Sequence, residues 1–148
     1  MKESGMGVNV TAHALGIDLV HGGESALFKW LLASFLMGKR IRAQVAVQTW
    51  HVIVDKHGRD TPRKLAGCTH RELVRMLGEG GYARYDESTS TRLQTLASRL
   101  LAEYGGTVSG MREASTDRRD FEQRLQSFDG IGPKTAEIFM REAAQVLF

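Results

Sequence analysis

The chain has 148 residues, 42% of them hydrophobic and 25% charged, which is enough apolar side chain for one domain with a real core and too much for a disordered chain. Lysine and arginine exceed aspartate and glutamate by 20 to 17, a mild excess that permits an anionic partner such as nucleic acid without identifying one. The single cysteine, Cys68, excludes an internal disulfide and any four-cysteine iron-sulfur or zinc site, so no cofactor is expected and a reducing cytoplasm is.

Residues 1–23 carry no apolar signal core and read as an N-terminal segment ahead of a single domain, 24–148. The most apolar run, ALFKWLLASFLM, is too short to span a bilayer and carries Lys29, so no membrane contact is expected. Residues 24–37 are apolar on nearly every side, the pattern of a helix in the middle of a core, and Gly38 ends it. From 41 to 54 the β-branched content suggests a strand. Yet Ala43, Ala46, Val47, Trp50, Ile53 and Val54 recur at i, i+3, i+4, i+7, i+10 and i+11, which favours helix.

Thr61 and Pro62 mark a helix start, and THRE at 69–72 is a capping box opening a helix through Leu77 that GEGG stops. Leu93, Leu96, Ala97, Leu100, Leu101 and Tyr104 form the cleanest amphipathic stripe, over 88–104, closed by Gly105 and Gly106. Residues 107–116 read as a loop. A polar helix follows with Phe121, Leu125 and Phe128 inward, and a last helix spans 133–147 with Ala136, Phe139, Ala143, Val146 and Leu147 on its apolar face. No strand or repeat is evident, so the fold class is all-α, a compact bundle of about six or seven helices.

The stretch FDGIGPKTAEIF, 128–139, joins the last two helices. Gly130 and Gly132 are expected at a tight turn with φ above zero, where absent side chains let another molecule approach the peptide nitrogens. Pro133 sets the first turn of the next helix, so exposed N–H groups and the helix dipole face outward together and suit a phosphate. Lys134 and Arg124 add positive charge, and Ile131 plugs inward over Leu125, Phe128, Ala136 and Phe139. An ordinary glycine-capped corner is the plainer account of the same residues.

In that register the stretch resembles the helix-hairpin-helix motif, here over 117–147, of DNA-binding proteins. The upstream order of features is similar too: an apolar helix, a Gly-Lys-Arg, a T-x-x-E-L segment at 69–73, a Gly-Tyr turn at 81–82 and a long helix ending in YGG. It resembles the endonuclease III-like superfamily of DNA glycosylases over about 24–147, with only the hairpin specific.

The resemblance implies double-stranded DNA as partner, gripped through Gly130, Ile131, Gly132, Lys134 and Thr135, with a base flipped into a cleft. It also implies that Lys134 aligns with the lysine that attacks the sugar in backbone-cleaving members, which requires a neutral amine; a protonated lysine touching phosphate is the alternative. The family's aspartate comes from a loop after the second hairpin helix. This chain ends at Phe148, so nothing here matches that aspartate or the iron-sulfur loop some members carry.

Lys39, Arg40 and Arg42 stand where the family often has a polar pair, and either grip phosphate or form a solvated helix start. Asp86 is a substitute acid beside a base pocket of Tyr82 and Tyr85; alternatively Asp86 or Ser88 caps the long helix while the tyrosines pack its entrance. Asp129 is a third acid but a poor base on the phosphate side. The histidines have no metal-ligand spacing.

Three functions remain in view. One is a repair glycosylase or abasic-site lyase. Another is a non-catalytic DNA-binding module that lacks the carboxylate or receives it from a protein partner. In the third, the hairpin is a protein-protein joint.

Overall fold

The structure, a computed structural model, describes residues 10–148 and is all-helical over them. Eight α-helices follow in order: α1 Gly23–Met37, α2 Ala43–His51, α3 Pro62–Ala66, α4 His70–Glu79, α5 Asp86–Tyr104, α6 Val108–Ala114, α7 Arg118–Gln126 and α8 Pro133–Leu147. None is long and apolar enough to cross a membrane.

The apolar character of α1 on every side decides the architecture. A helix with no polar face cannot lie on a surface, and α1 runs through the middle, packed by α2, α6 and α8. Trp30, Leu31, Leu32, Phe35 and Leu36 are all fully buried, each such side chain contributing roughly 1.5–3 kcal/mol. Two indoles fix its neighbours by their one donor. Trp30 Nε1–H donates to the Phe139 carbonyl in α8 at 3.1 Å, and Trp50 Nε1–H in α2 donates to the Lys29 carbonyl at 2.9 Å.

The helical period over 41–54 is real, with a change of pitch. After α2 the chain widens into a π-helical turn, Val52–Lys56, whose His57 N–H donates to the Val52 carbonyl at 3.0 Å, and both Ile53 and Val54 are buried there. Local chemistry sets the next helix starts. Thr61 Oγ1 accepts from Lys64 N–H at 3.1 Å ahead of Pro62, and Thr69 and Glu72 exchange side-chain-to-backbone bonds at 3.1 and 2.8 Å. The long α5 packs against α3, α4 and α6, burying Leu93, Leu96, Ala97 and Leu100, and ends at Gly105 in the left-handed region, φ 66°.

Two expectations need correction. Residues 107–116 contain α6, whose apolar signal is only Val108 and Met111 around Gly110. Its start is held by Thr107 and by a distant acid: Glu24 in α1 accepts from the Val108 and Ser109 N–H groups at 2.8 and 2.9 Å. That tertiary cap has no local sequence signature.

The second correction concerns the N-terminal segment. Of residues 1–23, the first nine lie outside the described residues, but 10–22 belong to the same core. Ala12, Leu15, Ile17 and Leu19 are buried around a short 3₁₀ turn, His13–Leu15, and Ala12 N–H donates to Glu142 in α8 at 3.1 Å.

Candidate nucleic-acid interface

The helices α7 and α8 and the turn between them have the expected hairpin form. Asp117 caps α7 by accepting from Asp120 N–H at 2.8 Å, and α8 starts at Pro133. Phe121, Leu125, Phe128, Ile131, Ala136 and Phe139 are buried, so Ile131 is the inward plug that fixes the angle of the two helices. Ile131 N–H closes the turn onto the Phe128 carbonyl at 3.0 Å.

The two glycines do different work. Gly130 has φ 94°, in the region that favours glycine, and a Cβ there would lie 2.9 Å from Phe35 Cε2 and 3.1 Å from Arg92 Cδ. Its bare Cα is a requirement of packing against α1 and α5. Gly132 departs from expectation: its φ of −97° is ordinary extended backbone, and a Cβ there meets nothing within 4 Å. Gly132 is the open one. As N-cap of α8 it leaves the helix start without a side-chain cap, and its carbonyl accepts from Ala136 N–H at 3.0 Å. Pro133 carries no N–H and Thr135 is buried, so of the first turn it is Lys134 that is exposed at the positive end of the helix dipole.

A shallow, open depression of about 570 Å³ lies at the mouth of this turn, walled by Lys39, Arg92 and residues 126–132. Lys39 leaves the end of α1, lays its ammonium 4.4 Å from the Phe35 ring centroid, and donates to the Gly130 carbonyl. Burial pushes its pKa down and the neighbouring Arg92 cation adds to this, with Asp129 acting in the opposite sense. Arg92 of α5 pairs with Asp129 at 3.4 Å, where the carboxylate is 72% exposed. Two turns further along α5, Arg99 holds Glu103 through two bonds of 2.7 and 3.0 Å, donates to the Ser127 carbonyl at 3.1 Å and covers the Phe128 ring at 4.1 Å.

The expected site residues divide. Gly130, Ile131, Gly132 and Lys39 share the depression. Lys134 is 52% exposed in the first turn of α8, with Glu137 at 3.9 Å, while Arg40 is exposed beside Lys39. Thr135, expected to meet phosphate, is instead buried against Gly38, because α8 and α1 approach closely there.

Tyr82, expected on a pocket wall, is a fully buried core side chain whose hydroxyl finds no partner; burial pushes its pKa up to about 12. Tyr85 is 49% exposed under Arg84, so the two tyrosines do not form one open pocket. Asp86 is the first residue of α5, after an N-cap that makes no side-chain bond, and it accepts from its neighbour Glu87 N–H at 2.8 Å. None of Lys134, Asp86, Tyr82 and Tyr85 lines the depression.

Sequence reading missed Arg92 and Arg99. Their seven-residue spacing, two turns on one face of α5, was the available signal. No three or more histidine, cysteine, aspartate or glutamate side chains among the described residues group to hold a metal. Comparisons of the chain with protein-family models, with curated proteins and with solved structures find no match.

Proposed function

We propose that this protein is a duplex-DNA-binding domain of the base-excision-repair type, holding a backbone phosphate at the turn between α7 and α8. The observation that carries the reading is the uncapped start of α8 at Gly132, open to solvent and bordered by Lys39, Arg92 and Lys134. An oxyanion there meets the positive end of a helix dipole at the exposed Lys134 and side-chain cations together. Such contacts position a duplex and read little sequence.

Fluorescence anisotropy with an intact duplex tests it. If about three phosphates are neutralised, raising salt from about 50 to about 200 mM weakens binding about 40-fold. Binding that is absent at low salt, or indifferent to salt, overturns the reading and returns the hairpin to a protein-protein joint. Catalysis as a glycosylase or abasic-site lyase is a further step. The half-exposed position of Lys134 supports a phosphate contact for it more than a covalent one, which leaves a binding module, completed or not by a partner chain, as the plainer form. Borohydride trapping on an abasic duplex decides between them: an adduct lost in Lys134→Ala makes Lys134 the nucleophile.

A further inference from the structure

We propose that the cavity between the N-terminal segment and the end of α8 binds an aliphatic ammonium, a small molecule that carries a protonated amine on a hydrocarbon body. The cavity shares no residue with the hairpin depression, and its ligand does not depend on the DNA-binding reading.

At about 920 Å³ the cavity has the size of a small-molecule site, roughly 300–1,000 Å³. Local turns build one wall. Gly16, at φ 78°, ends the 3₁₀ turn, and Ile17 N–H donates to the Ala12 carbonyl at 2.9 Å, so the chain turns back on itself there. Asp18 Oδ1 then accepts from His21 N–H at 3.0 Å and fixes the next bend. The other wall is α8, tied to the segment where Glu142 accepts from Ala12 N–H at 3.1 Å.

Three observations converge on an aliphatic cation. The first is apolar surface left in water: Ile17 and Leu19 are buried where they line the cavity, but Val20 is 74% and Val146 40% exposed there. A hydrocarbon laid against the two valines removes that surface from water. The second is charge. The lining holds two carboxylates, Asp18 and Glu142, and neither lysine nor arginine, although the chain's formal charge is +3. Asp18 stays ionised, because the His21 N–H and then the His21 ring hold its carboxyl below the usual range.

The third is the helix end itself. Gln145 and Val146 bring the last turn of α8 to the cavity, where the dipole is negative and the turn carries no basic residue. Arg112 meets this end at the Leu147 carbonyl, outside the lining, and Arg141 is turned to the Val10 carbonyl. An ammonium therefore meets carboxylates and the negative end of a helix together, while a carboxylate on the same hydrocarbon meets repulsion.

The test uses the full chain and two probes of equal length and opposite charge, n-octylammonium and n-octanoate, followed in amide correlation spectra at neutral pH. Octylammonium shifts the amides of Ile17, Val20 and Val146 saturably at millimolar concentration. Octanoate binds there several-fold more weakly, and methylammonium, which lacks the hydrocarbon body, leaves these amides in place. Val20→Ala, at an exposed position, weakens octylammonium several-fold without changing the melting temperature. Glu142→Gln, which keeps an acceptor for Ala12 N–H, weakens octylammonium and strengthens octanoate; a merely structural role for Glu142 would weaken both. Asp18→Asn keeps the acceptor for His21 N–H and reads the same preference should the Glu142 variant fold poorly. Equal binding of the two probes, shifts scattered over other surfaces, or wild-type octylammonium affinity in Val20→Ala overturns the proposal. No DNA is present in this titration, so its outcome is separate from that of the duplex measurements.

Discussion

Replacing Gly132 by valine separates what the hairpin does for a ligand from what it does for the fold. The backbone at Gly132, φ −97° and ψ −170°, accepts any residue, and its Cβ would point into space with no heavy atom within 4 Å. Losing a glycine from the unfolded chain stabilises by about 0.4–1 kcal/mol, and a poorer N-cap costs about as much. The melting temperature should therefore stay within about 2–4 °C of wild type.

The isopropyl group, however, stands where a phosphate oxygen would approach the start of α8. Losing one hydrogen bond to a charged group costs about 1.5–3 kcal/mol, so the duplex Kd rises about 10- to 150-fold. The slope of log affinity against log salt falls by about 0.9 for the phosphate released. Anisotropy titrations at several salt concentrations, with a thermal melt of the same preparation, read both quantities. A Gly132→Val protein that melts normally and binds within about twofold of wild type, with the same salt slope, refutes the assignment of the turn as the phosphate contact. Gly130→Ala is the wrong variant for this purpose. Its φ of 94° and the Phe35 ring 2.9 Å from the new Cβ make it a folding mutant first.

Other outcomes follow from the same geometry. Gly38→Ala puts a methyl group onto Thr135 Oγ1 at the α1–α8 crossing and should destabilise by about 1–3 kcal/mol in urea unfolding, with Thr135→Ala restoring part of the loss in the double mutant, since Thr135 Cβ stays 3.0 Å from the new methyl. Tyr82→Phe removes a buried hydroxyl without a partner and should leave stability at neutral pH unchanged or about 1 kcal/mol higher. The wild-type phenol, pushed up to about 12 by burial, keeps its proton in the folded state while the unfolded chain loses it above about 10. Stability present below pH 10 is therefore lost as pH rises toward 12, by up to about 3 kcal/mol, and Tyr82→Phe should not share this alkaline loss. Asp129→Asn frees Arg92 and removes an acid from the mouth of the turn, and should tighten duplex binding by up to about fivefold at low salt, an effect that disappears at high salt.

The hairpin was the most legible part of the molecule because its rules are local. Pro133 at the first helical position, Ile131 between glycines, and Phe128, Ala136 and Phe139 at helical spacing state their environments within a dozen residues. The all-α class and the central place of α1 were legible for the same reason, since periodicity and an apolar surface are properties of one segment. The capping box at Thr69 and the proline start at Pro62 were likewise local and stand in the structure.

What the sequence by itself determined is thus the set of helices whose signals lie within one or two turns, and the turn between α7 and α8. The tertiary structure alone decided the rest. It made α6 a helix by bringing Glu24 to its start, and drew residues 10–22 into the core. It also gave Gly130 to packing and Gly132 to solvent, and turned Thr135 and Tyr82 inward. Lys39 shows the reason most directly. Its place under the hairpin, 91 residues away along the chain, depends on the crossing of α1 with α8. No pattern within its own helix records how much water that crossing removes from its amine.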